Sequence, residues 1–93
     1  MKTIWKFPVD VSDRVALPMP RGAEILTIEN QGGAVCIWAL VDSEAILVTR
    51  KLAFRGTGHP ADGLDSSQYV GSVLLNGGAL VFHLFDLGEA GIR

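Results

Sequence analysis

A chain of 93 residues with eight Lys and Arg against ten Asp and Glu, a net charge of −2, has room for one domain and one modest core. That balance offers no broadly basic face for DNA or RNA, and two histidines with one cysteine do not furnish the three or four ligands of a zinc site. Apolar residues make up 48% of the chain, more than a monomer of this size readily covers, so contact with further copies of itself is expected.

Cys36 has no partner for an internal disulfide and sits in an apolar run, which fits a reducing compartment. The opening MKTIWKFPVD has no long apolar core and no small-residue cleavage site, so it does not read as a signal peptide. No window approaches the ~20 apolar residues of a membrane-spanning helix. A soluble, cytoplasmic protein is the expectation.

Helical periodicity is nearly absent, and runs of β-branched and aromatic residues end repeatedly in Gly, Pro, Asn or Asp. TIWKFPV reads as a first strand, with Pro8 assigning its end to a sheet edge. RVALPMP is short and extended; Pro18 and Pro20 remove ladder donors and place it at a margin. AEILTIEN, the turn QGG and AVCIWALV form a hairpin, and because Val35 to Val41 is apolar on both faces it belongs in the centre of a sheet or under a partner subunit. After the turn DSEA, strict alternation puts Ile46, Val48, Leu52 and Phe54 on one face with Arg50 among them. Either Arg50 points inward or the register breaks near Thr49. A loop through about Val48 and a strand from Arg50 to Arg55 is the reading that avoids burying a charge. QYVGSVLL and ALVFHLFDL flank NGG, a strong hairpin signal, and EAGIR is a tail. The sum is an all-β fold, a single domain over residues 1–93: a small antiparallel β-sandwich or open barrel of about seven short strands built from hairpins. One echo stands out: GGAVCIWALVD (Gly32 to Asp42) resembles GGALVFHLFD (Gly77 to Asp86), although two similar hairpins would look alike without duplication.

Chemistry concentrates at FRGTGHPADG, Phe54 to Gly63. From Ala45 to Ala61 there is no acid, yet Arg50, Lys51, Arg55 and His59 are present. Gly56, Thr57 and Gly58 can turn successive amides toward one point, an anion-binding nest suited to phosphate or carboxylate. The same glycines also serve a simple turn, and GTG without a following helix and lysine is neither a P-loop nor a dinucleotide fingerprint. His59, before Pro60, is extended and exposed; His83 faces away from Phe82 and Leu84, toward an interface or a pocket. Trp5, beside Lys2 and Lys6, offers a stacking face, while Trp38 reads as a core or interface residue. Catalysis is not expected: the Cys36 thiolate is disfavoured in an apolar strand, Ser66 and Ser67 lack a G-x-S-x-G setting, and Asp62 and Asp65 read as turn formers. No cofactor or metal is expected.

On the features IWK, ALVD, GTGHP and GGALVFH, which span nearly the whole chain, the sequence resembles a family of small proteins of unknown function found largely in tailed bacteriophages and prophages. Members similar to it carry a polar, Pro-containing insert where this chain has SEAILV. The resemblance implies no activity and no site residues. With the residue reading, it suggests a non-enzymatic binding protein that works as a homo-oligomer in a bacterial host, a counter-defence protein sequestering an anionic nucleotide-like ligand. In that reading Gly56 to Gly58 hold phosphate, Arg50, Lys51 and Arg55 supply charge, and Trp5 or His59 stacks or caps. The rivals are an inhibitor of a host enzyme or defence complex and a minor virion or assembly component.

Overall fold

The computed structural model describes residues 1–90. Seven antiparallel strands follow one another: β1 Lys2–Pro8, β2 Arg14–Pro20, β3 Glu24–Gln31, β4 Ala34–Asp42, β5 Leu47–Gly56, β6 Tyr69–Leu75 and β7 Leu80–Glu89. They form a three-stranded sheet of order β1-β4-β3 and a four-stranded sheet of order β2-β5-β7-β6. The sheets pack face to face, and Asn30 Nδ2 on β3 donates to the Leu74 carbonyl of β6 at 3.0 Å along one side. None of the described helices is long and apolar enough to cross a membrane.

The strand order follows from what each sequence can tolerate. Both proline-bearing strands, β1 and β2, lie at sheet edges, where a missing N–H breaks no ladder. The apolar strands β4 and β7 are internal to their sheets. They use one pattern: Ile37 and Ala39, like Phe82 and Leu84, point into the core, while Trp38 and His83 point out. Between β6 and β7, Asn76 and Gly77 both take positive φ, 52° and 67°, which joins the strands tightly and suits this pair of residues. Met19, Ile37, Leu52, Phe54 and Leu84 fill the core at 0–1% exposure, and truncating any of them to Ala would cost about 2–5 kcal/mol.

β5 corrects the sequence reading. It begins at Leu47 rather than Arg50 and runs unbroken through Thr49, so Arg50 does lie on the inward face with Val48, Leu52 and Phe54. The charge is not left alone. Arg50 Nε and Nη2 donate to the two carboxylate oxygens of Asp86 at 2.9 and 2.8 Å, and Nη1 donates to the Ala23 carbonyl at 2.7 Å. Glu89 stands 3.8 Å from Nη1 and accepts a hydrogen bond from the Gly22 amide. The register break lies on β7, where Lys51 pairs with Gly88 and Leu52 with Asp86, leaving Leu87 as the extra residue. The Gly88 amide then donates to Asp86 at 2.9 Å. The expected tail is also shorter: Glu89 closes β7, and residues 91–93 lie outside the described residues.

Burial by itself would raise the Asp86 carboxyl. The hydrogen bonds from Arg50 and Gly88, with the charge of Arg50, outweigh it and hold Asp86 below its ordinary value. The Arg50 guanidinium is raised, first by its bond to Asp86. A carboxyl depressed in the folded state stabilises the fold above its unfolded value and loses that contribution as pH falls through the folded one. Asp42 and Asp65 are lowered too, by backbone and side-chain hydrogen bonds from Glu44 and Ser67 respectively, but both stand in solvent, where such interactions are well screened. Urea midpoints should therefore fall as pH drops below about 4. Asp86→Asn should be less stable at neutral pH and show a shallower acid loss; an acid limb as steep as the parent's contradicts the assignment.

Candidate functional site on the four-stranded sheet

Because Arg50 points inward, alternation sends Lys51, Ala53 and Arg55 to the outer face of the four-stranded sheet. Arg14 pairs with Ala53 across β2, Phe85 with Ala53 across β7, and Tyr69 with Phe85 across β6. Arg14, Ala53, Phe85 and Tyr69 thus form one row across the sheet. The next row is Arg55, His83 and Ser72. Three strand spacings make the strip about 14 Å wide. No carboxylate projects from these four strands on this face.

His83 is held at both ring nitrogens. Thr57 Oγ1 lies 2.7 Å from Nε2, and the Tyr69 hydroxyl lies 2.8 Å from Nδ1. A neutral imidazole donates through one nitrogen and accepts through the other, and because each hydroxyl can do either, Thr57 and Tyr69 together satisfy both ring nitrogens. Tyr69 stacks edge-on to Phe85, with ring centroids 5.3 Å apart and planes at 76°, and lies 5.8 Å from the His83 ring. Arg55 Nη1 donates to the carbonyls of Asp13 and Phe54 at 2.9 and 2.7 Å; Nε and Nη2 make no hydrogen bond to the described residues. The guanidinium is anchored yet keeps donors for a ligand. At the other end of the strip Arg14, Ala16, Lys51 and Leu87 border a cavity of about 230 Å³.

The expected site residues are divided by this geometry. Lys51, Arg55 and Thr57 come together on the outer face. Arg50 is spent on Asp86 inside. Trp5 belongs to the other sheet, where it pairs with Ala39 and packs on Phe7, ring centroids 6.3 Å apart. The glycine nest is not formed. Gly56 lies in the ladder opposite Phe82, and the Thr57 amide donates to the Val81 carbonyl at 3.2 Å. Gly58, at φ 86°, makes the turn that lets the His59 amide donate to the Gly56 carbonyl at 3.0 Å. The His59 ring lies on Gly56, where an added Cβ would come within 2.7 Å of Cε1. Glycine at 56 therefore serves a close approach of the ring. The ring borders a hollow of about 280 Å³ shared with Thr57, Leu80 and Phe82.

Tyr69, Phe85, Ser72 and Arg14 were not legible as site residues, because nothing local in the sequence joins them. Only the registers of β2, β6 and β7 on β5 do. The overall charge of −2 likewise concealed a local basic face. Chemically, the strip offers cations, aromatic faces and fixed hydroxyls. A hydroxyl against an imidazole is also the start of a nucleophile–base pair, but the amide of Thr57 is taken by Val81, and His83 is steadied by a phenol, not a carboxylate. Among the described residues no three His, Cys, Asp or Glu converge as metal ligands.

A two-sheet antiparallel sandwich with a basic, aromatic strip on one outer face is the class of protein these features define. The chain belongs to the family described as Domain of unknown function (DUF7352), which matches residues 1–92. No curated protein and no solved structure matches it.

Replacing Tyr69 by Phe removes the Nδ1 partner while keeping the ring contact with Phe85. The change should cost at most about 1 kcal/mol in stability and shift the His83 tautomer ratio in imidazole ¹⁵N spectra. An unchanged ratio contradicts the two-hydroxyl clamp.

Proposed function

We propose that this protein is a non-enzymatic binding protein that captures a nucleotide-like anion on the outer face of its four-stranded sheet. One observation carries the reading: Arg14, Lys51 and Arg55 share with Tyr69, Phe85 and His83 a face whose strands project no carboxylate, on a chain of net charge −2. A phosphate gains charge-assisted hydrogen bonds from anchored guanidinium, and a base gains an aromatic face, the latter worth about 1–3 kcal/mol per base in other proteins. Thr57, Tyr69 and Ser72 add hydroxyls that fix orientation. Three cations on a strip this narrow suit a small ligand better than a nucleic-acid backbone, whose binding draws on many phosphates. In the bacteriophage or prophage setting implied by the family resemblance, such capture would withdraw a signalling nucleotide from a host defence.

The test is thermal-shift screening against mononucleotides, cyclic dinucleotides and inorganic phosphate, followed by ¹H–¹⁵N mapping of any hit. One nucleotide should stabilise the fold saturably and move the amides of Arg55, His83 and Tyr69. Arg55→Ala should weaken that binding about tenfold or more, as loss of a charge-assisted contact does. A flat panel, together with a host protein retained on pull-down, would replace this reading with inhibition by surface masking. Shifts confined to Gly58 and His59 would return the ligand to the loop.

A further inference from the structure

The three-stranded sheet has its own outer face, and its composition is different. Across β1, β4 and β3 the outward residues run Ile4, Leu40, Glu24 in one row, Lys6, Trp38, Thr27 in the next and Pro8, Cys36, Glu29 in the third. Lys2 precedes them on β1, paired with Asp42. The centre is apolar: Ile4 is 56% exposed, and Trp38 and Leu40 are half-buried. Neighbouring Leu26, at the β3 bulge, is 49% exposed. Lys6 Nζ reaches across β4 to Gln31 Oε1 at 3.0 Å, on the face that carries the buried Cys36. The two flanks differ in sign, with Lys2 and Lys6 on β1 and Glu24 and Glu29 on β3.

This distribution is self-complementary under one symmetry operation. A two-fold axis lying between two copies and parallel to β4 places β1 of one over β3 of the other. Lys6 then stands between Glu24 and Glu29 of the second copy, Trp38 meets Trp38, and Leu40 meets Leu40. An in-plane axis perpendicular to the strands would instead set β1 on β1, lysine against lysine. Face-to-face packing with strands nearly aligned is an ordinary way for two sheets to bury their apolar sides, and such isologous contacts are the commonest route to a dimer.

We infer that this face is the homodimer interface of the protein, closed by a two-fold axis parallel to β4 with the lysine flank of each copy on the glutamate flank of the other. The reading is independent of the ligand strip, which lies on the opposite side of the sandwich and remains open in the dimer. Three short strands offer an area at the low end of specific interfaces, so the dimer is in reversible exchange with monomer rather than obligate.

Sedimentation velocity from about 1 µM to about 500 µM, a range suited to a small interface, tests this directly. Mass should rise with concentration toward two copies. Lys6→Glu and Glu29→Lys should each lower association about tenfold or more, since each sets like charges in contact twice. Mixed together, the two variants should recover it as a heterodimer, because Glu at 6 then meets Lys at 29 while native Lys6 meets native Glu29. Ile4→Glu, at an exposed position that leaves the core untouched, should also weaken association. A monomer across the whole range overturns the inference. So does association indifferent to both charge reversals, and so does a mixture that stays monomeric, which would exclude the strand-parallel axis.

Discussion

Arg50 and Asp86 hold the arrangement of the molecule. A guanidinium on the inward face of a central strand has to be matched or the strand must slip, and a slip of one residue would exchange every side chain between core and solvent. Here both carboxylate oxygens of Asp86 meet it, Ala23 supplies a carbonyl, and Glu89 adds a second negative charge. The side chains are only 11% and 22% exposed, so the pair is worth more as a specifier of register than a solvent pair would be. It also ties together three segments: β5, the bulged end of β7, and the turn where the chain passes from β2 in one sheet to β3 in the other.

From that match the rest of the functional geometry follows. With Arg50 inside, Lys51 and Arg55 must be outside, and the register of β7 on β5 brings His83 beside Arg55 and Phe85 beside Ala53. Ala53, 1% exposed on this face, is small enough to let its neighbours close over it. The sandwich therefore presents two dissimilar outer faces, each centred on a ring from an internal strand. Trp38 heads an apolar face with charges of opposite sign at its two margins, and His83 heads a polar, cationic and aromatic one.

The fold was largely legible in the sequence. Proline at 8, 18 and 20 marked two edge strands, and the Asn-Gly and Gly-Gly turns marked two hairpins. The apolar run from Val35 to Val41 marked an internal strand. These are local signals, and local geometry decides them. Arg50 was misread because avoiding a lone buried charge is a sound rule, while its partner Asp86 is 36 residues away and invisible to any local pattern. The site suffered from the same limit. Lys51, Arg55 and Thr57 share a stretch of chain and could be grouped by inspection, but Tyr69, Phe85 and Ser72 join them only through pairing. The glycines at 56 and 58 illustrate the converse: the residue types suit a nest, and the backbone uses them for a close ring contact and a turn.

The most direct test of this account is a double-mutant cycle on the central pair, using Arg50→Met, Asp86→Leu and the double variant with urea denaturation at neutral pH. Each single change strands a charge in a half-buried site and should cost roughly 2–4 kcal/mol, while the double variant should recover at least ~1.5 kcal/mol of the summed loss. Strictly additive losses would show that the two groups do not depend on each other, and the register of β5, with the face it displays, would need another cause.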